Sequence, residues 1–393
     1  MAKEMNVLVV TGQELKTVKD GIAALKDVKP RVQTVSLADG WNYIVEYKPN
    51  VVICVAQEQY EEYMQLIKKI KAYYHGVSII VISDNADSEY ILHAYKAGIK
   101  DFLKITATSE EIQQAVQKLY REVNEVEKHA ALHSRVISVF SNKGGIGVTS
   151  VAVNLASALA EIKDAKVVLC DFVFQHSDIA IFLDTPTKCT ISDVISNMNR
   201  IDKIFLENTL SKTEDGLYVI HGPDKPEEGD YINAMQIEEL IHILKTYFDY
   251  IIIDTNHSYN DNNITMFDSA DMILLLLTLE LPSICNCGKT LEVFQKLRYE
   301  RDKVKLVVNR TNARNQIDVQ LVEEQLNYPI FAQLPNDYLT VVKGINNGQS
   351  IFRSAKVSAM GTALRALRDQ ILKEMNKEFP EDKKGFLNKL FKK

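Results

Sequence analysis

Apolar residues fall along this chain in two successive series of short continuous runs, separated by amphipathic stretches. The first series predicts strands at Asn6–Val10, near Val32–Ser36, and at Val51–Val55, Ile79–Ser83 and Asp101–Leu103. Helical spacing fills the gaps, as over Tyr60–Tyr74 and Ser88–Ala97. The second series predicts strands at Arg135–Phe140, Lys166–Asp171, Leu217–His221, Tyr250–Asp254, Met272–Leu277 and Lys305–Asn309, then a closing helix near Ala359–Lys377. Continuous apolar runs suit strands buried on both faces, and strands alternating with helices imply parallel pairing through crossovers. The expected fold class is α/β, two doubly wound parallel-sheet domains in succession. Thr108-Ser109-Glu-Glu111 has the composition of a helix start, and the charged helix it opens runs to about His133. The expected boundaries are 1–125 for the first domain, 126–134 for a linker, 135–378 for the second domain and 379–393 for a tail.

Composition narrows this picture only a little. A chain of 393 residues, 46% hydrophobic and 25% charged, can bury a substantial core. Its net charge of −6 weighs against a protein that coats nucleic acid, so no sequence-specific nucleic-acid partner is expected. The five cysteines, Cys54, Cys170, Cys189, Cys285 and Cys287, are odd in number and scattered, which reads as reduced thiols and a cytoplasmic location. One residue between Cys285 and Cys287 is poor spacing for zinc. The first strand follows the start directly, so no secretory leader is expected, and Met272–Leu277 is too short to span a bilayer.

The chemistry concentrates in Lys143-Gly-Gly-Ile-Gly-Val-Thr-Ser150. Val136–Phe140 supplies a strand, Ser141–Gly147 a glycine-rich turn and Val151–Ala160 a helix, which is the context a phosphate-binding loop requires. Gly144, Gly145 and Gly147 let backbone N–H groups converge on phosphate oxygens, and the helix start adds partial positive charge. Thr149, with Ser150 beside it, takes the hydroxyl position that coordinates Mg2+. Asp171 and Asp254 end their strands on the phosphate side, where a carboxylate can hold the magnesium shell.

These residues resemble the deviant phosphate loop of the ParA/MinD ATPases, over about 240 residues from Arg135 to Lys377. The resemblance implies ATP and Mg2+ as ligands, bound by Gly144, Gly145, Ile146, Gly147, Val148, Thr149 and Ser150. It implies that Lys143 reaches a homodimer partner's nucleotide, and that Asp171 and Asp254 serve catalysis and, with Thr149, the metal. Asn309 and Arg310 match the adenine-contacting segment, and Pro335 and Asn336 the loop that closes over the base. Two departures matter. Val148 replaces the usual lysine, at a cost of about 1.5–3 kcal/mol of phosphate contact. Val173 replaces an aspartate that orients water, so the resemblance implies binding with slow or absent hydrolysis.

Residues 5–125 resemble the receiver domains of response regulators, most clearly at Lys48–Val55 and Ala97–Leu103. Val55 stands at the phosphoacceptor position and Thr11-Gly12 where an acidic pair belongs; Ser83 fits the hydroxyl position, and Lys104 falls one residue early. The expected role is protein interaction by a pseudo-receiver. The tail places Phe386, Leu387, Leu390 and Phe391 on one arc edged by lysines, which reads as an anchor on anionic lipid and resembles MinD's membrane-targeting end. A pseudo-receiver before a MinD-like ATPase lacking the lysine resembles the TadZ/CpaE family. That resemblance implies a dimerising localisation factor that brings pilus secretion machinery to the membrane at the cell pole. The other reading is an active MinD/ParA-type ATPase that positions division machinery or DNA.

Overall fold

A computed structural model describes residues 3–376, apart from 14, 26–27, 48, 74–76, 121–133, 176, 199–200, 202, 313–315 and 356. The charged helix end, nearly all of the expected linker 126–134, and the tail with Phe386, Leu387, Leu390 and Phe391 lie outside the described residues. The chain divides into two compact units. One comprises residues 1–133 with 197–201 and 235–246, and the other comprises 134–196, 202–234 and 247–393.

In the first unit, β1 (Lys3–Thr11), β2 (Val28–Val35), β3 (Val51–Ala56), β4 (Ser78–Ser83) and β5 (Asp101–Lys104) form a parallel sheet in the order β2-β1-β3-β4-β5. That order is one of the two common doubly wound arrangements, the flavodoxin-like one. Every residue of β3 and β4 is buried because both sheet faces are covered. Val51, Ile53, Ile80 and Ile82 pack on one face with Ile112 and Val116. Val52, Cys54, Ile79 and Val81 pack on the other with Ile67 and Ile70. The Thr108 start is a reciprocal cap: Glu111 N donates to Thr108 Oγ1 at 3.2 Å, and Thr108 N donates to Glu111 Oε2 at 2.8 Å. At the strand ends Thr11 pairs with Val55, Ala56 with Ser83, and Ser83 with Lys104. Lys104, one residue early by sequence spacing, is therefore level with Ser83.

The second unit holds β6 (Arg135–Phe140), β7 (Val167–Asp171), β8 (Ser211–Lys212), β9 (Tyr218–Ile220), β10 (Tyr250–Asp254), β11 (Met272–Leu277), β12 (Val304–Thr311) and β13 (Ile330–Pro335). Their order is β13-β12-β11-β6-β10-β7-β9-β8, parallel throughout except where β8 meets β9. Parallel sheets bind ligands beyond the carboxyl ends of central strands, and β6, between β10 and β11, is central. The helix after β6 spans Val148–Ala160, opening three residues before the apolar pattern predicts. One face of it packs with Leu364, Leu367 and Ile371 of the closing helix Ala359–Asn376. Below the end of β6, Phe140 makes edge contacts with Tyr259 and Phe267. Among the described residues no helix is long and apolar enough to cross a membrane.

Buried Asn154 joins the helix after β6 to the segment before the closing helix. Its Nδ2 donates to Ser150 O at 2.8 Å, and its Oδ1 accepts from Ile351 N at 2.8 Å. Asn154→Ala would strand a buried amide and is expected to destabilise the second unit by about 1–3 kcal/mol. Urea denaturation compared with wild type checks this, and an unchanged midpoint would refute the linkage.

Candidate functional site

The loop after β6 is shaped by backbone that only glycine adopts readily. Gly145 and Gly147 have φ of 76° and 100°, and a Cβ on Gly147 would lie 2.9 Å from Asn309 Nδ2. That amide donates to Ile146 O at 2.8 Å, so Asn309, at the end of β12, bolts the loop in place. The Ile146 and Val148 side chains are buried in the hydrophobic core, which leaves only their backbone to the loop. Where a clamping lysine would extend toward phosphate, Val148 instead fills the core. Lys143, the one cationic residue of the loop, places Nζ 3.0 Å from Glu280 Oε2 in a partly exposed pair. Exposed pairs of this kind are weak and screened by salt. The loop therefore offers backbone N–H groups, a helix start and the hydroxyls of Thr149 and Ser150.

Two carboxylates sit beside this cradle. Asp171 ends β7 and Asp254 ends β10, and the parallel register sets them side by side. Both are almost wholly removed from solvent. Ser177 Oγ donates to Asp171 Oδ2 at 2.6 Å, and Val173 N donates to Oδ1 at 3.0 Å. Neither oxygen of Asp254 receives a hydrogen bond of good geometry, although the Thr149 hydroxyl is near enough to favour its charge. Burial pushes the Asp171 carboxyl up to about 6 against its hydrogen bonds. Burial, then the neighbouring Asp171 charge, raises Asp254 well above the usual carboxylate range.

An unsatisfied buried carboxylate beside a hydroxyl is a donor set for a hard divalent cation. Mg2+ binds through one or two carboxylates plus water and phosphate oxygens, so these residues fit it. Asp254 and Thr149 would hold the ion. The oxygens of Asp171 already accept bonds from its own loop, which places it at the border of the site. Next to Ser150 lies a cavity of about 120 Å3 lined by Gly147, Asn309, Pro335, Asn336 and Val341. A wider opening of about 390 Å3 beside it is lined by Glu280, Arg310, Asn312, Asn336 and Tyr338. The fold thus gathers Asn309, Arg310, Pro335 and Asn336 next to the glycine loop, from strands far away in sequence.

Sequence reasoning missed Ser177, Asn154, Thr255 and His257. Ser177-Asp178 directly before the apolar Ile179–Leu183 helix carried a helix-start signal. Nothing local marked Thr255 or His257, whose partners Val139 and Ser141 lie 116 residues away.

Strand, glycine turn, helix and a strand-end aspartate define the second unit as a P-loop domain. Residues 134–306 match a family model described as the AAA domain. The septum site-determining protein MinD of Synechocystis sp. is 28% identical over 239 residues, covering 59% of this chain and 87% of that protein. MinD of Helicobacter pylori is 26% identical over 273 residues, 65% of this chain and 97% of that protein. A ParA family ATPase from Chlorobium tepidum shares the fold with a TM-score of 0.57 at 24% identity, over 60% of this chain and 98% of its own. MinD complexed with Mg-ADP from Pyrococcus horikoshii superposes with a TM-score of 0.54 at 22% identity, over 63% of this chain and 100% of its own. The second unit shares its fold with these ParA- and MinD-type proteins.

Because the folded state keeps carboxyl protons that the unfolded chain releases near pH 4, Asp171 withdraws stability as pH rises from about 4 through 6, and Asp254, raised further, keeps withdrawing it as pH climbs on. Asp254→Asn removes one of these charges. It is expected to stabilise the ligand-free protein by about 1–3 kcal/mol at pH 7.5 and by much less at pH 5. Thermal unfolding of both proteins at the two pH values checks this, and an equal difference at both would contradict it.

Proposed function

We propose that this protein is an ATP-binding switch that dimerises on nucleotide and hydrolyses it slowly or not at all. The observation that carries the reading is the burial of Val148 in the core at the clamping position, beside a metal-competent Asp254 and Thr149. Nucleotide retention then falls to backbone N–H groups, the helix start and Mg2+, which suffice to hold phosphate. Asp171 is held by Ser177 and Val173 N, and the residue two positions after it is a valine. This arrangement favours holding ATP over positioning an attacking water. Lys143 would leave Glu280 to meet the phosphates of a second copy. The Lys143–Glu280 pair is exposed and gives little resistance to that exchange.

In the wider reading the dimer presents two pseudo-receiver surfaces and two basic amphipathic tails at the inner face of the membrane. It thereby recruits pilus secretion machinery at the cell pole. Support comes from the flavodoxin-like strand order of the first unit and the uncharged ends of β1, β3 and β4 at Thr11, Ala56 and Ser83. A second reading, an active MinD-type ATPase that positions division machinery, is favoured by the septum site-determining relatives.

Size-exclusion chromatography with light scattering, run without nucleotide, with ADP and with ATP, tests the switch. The expected result is a dimer with ATP, lost in Lys143→Ala; a monomer in all three conditions would sink it. Steady-state turnover decides between the readings. Expected turnover stays near background with lipid vesicles added, whereas strong stimulation by lipid or DNA favours the second.

A further inference from the structure

Polar links hold the segment after β10 against β6, the phosphate loop and the helix Leu281–Lys296. Thr255 Oγ1 donates to Val139 O at 2.7 Å, and His257 Nδ1 lies 2.8 Å from Ser141 O. The Tyr259 hydroxyl lies 2.7 Å from Thr290 Oγ1. A carbonyl oxygen only accepts, so Nδ1 carries the proton in the His257 bond and the ring orientation is set. The opposite edge of the ring faces Gly144: a Cβ built there would lie 3.5 Å from Cδ2 and 3.6 Å from Nε2. The residue is exposed on that side, and among the described residues Nε2 makes no hydrogen bond.

This places a pre-oriented ring nitrogen at the mouth of a loop whose own cation is turned toward Glu280 and whose clamping position is a buried valine. Asp254, three residues before His257, would hold a magnesium ion that neutralises charge on the phosphates. We propose that His257 recognises the outermost phosphate of a bound nucleoside triphosphate, Nε2–H donating to one of its oxygens. With Nδ1 held by Ser141 O, Nε2 is the ring atom left to meet the phosphate, and an N–H···O bond to an anionic oxygen is charge-assisted. His257 thus takes up part of the phosphate recognition that Val148 leaves open. A diphosphate, lacking that outermost group, gains nothing from the ring. The inference rests on the nucleotide-binding reading above and adds the residue that tells a triphosphate from a diphosphate.

Equilibrium binding of Mg-ATP and Mg-ADP to the full chain tests it, in wild type, His257→Asn and His257→Gln. Asparagine preserves a donor for Ser141 O and removes Nε2; glutamine restores an amide near the Nε2 position. His257→Asn is expected to weaken Mg-ATP by about tenfold or more and Mg-ADP by less than about threefold. His257→Gln should recover part of the loss, which a merely misfolded variant would not do. Equal losses for the two nucleotides, or no loss for ATP, overturn the proposal while leaving nucleotide binding intact. A wild-type protein that binds neither nucleotide overturns the nucleotide-binding reading, and this inference with it.

Discussion

Two aspartates lie side by side at the carboxyl ends of β7 and β10, sealed from water, and one has no hydrogen bond of good geometry. Burying a carboxylate without a partner costs several kcal/mol unless the group takes a proton or a cation. The neighbouring structure supplies no basic side chain from the loop: Val148 lies in the core, and Lys143 pairs with Glu280. What remains is a demand for positive charge that a divalent ion meets and that the Thr149 hydroxyl helps to direct. The two carboxyls are unequal. Asp171 has two donors of its own, so the unmet demand is concentrated on Asp254.

The same inequality bears on what the site can do. The loop after Asp171 is confined where Gly222 passes, since a Cβ there would come within 2.8 Å of Ser177 Cβ and 3.5 Å of Asp171 Cγ. A segment packed this closely holds both oxygens of its carboxylate in place. On the other side, the segment from Thr255 to Tyr259 is tied to β6 by Thr255, to the loop by His257 and to the helix Leu281–Lys296 by Tyr259. The geometry is therefore preset for holding a ligand, and little of it is left to reorganise during a reaction.

Much of this was legible in the sequence because the central strands are short, nearly continuous apolar runs. Tyr250–Asp254 and Met272–Leu277 were readable to the residue. The edge elements were not. Ser211–Lys212 is too short to show a period, and Ile330–Pro335 is only half buried and ends in proline, so neither gave the continuous run of a central strand. The helix start at Val148 was hidden because a left-handed glycine, Gly147, takes the capping position where a polar side chain usually signals it. Within the site, the loop, Asp171 and Asp254 were visible as a motif in strand context. The roles of Ser177 and His257 were not, because they depend on which backbone the fold brings against them.

The first unit puts this site in relief, because its central strands end without such a pair of carboxylates. Its central strands end at Thr11, Ala56 and Ser83, and the one acid that follows β4, Asp84, accepts a bond from the Tyr60 hydroxyl at 2.8 Å. Without a set of carboxylates at those ends there is no demand for a cation like the one Asp254 creates. The first unit's sheet is buried on both faces and lends its stability there. Within one chain, then, burial is used in two ways. In the second unit it leaves a charge unsatisfied and so creates a need for ligand; in the first it satisfies the strand ends and leaves only surface.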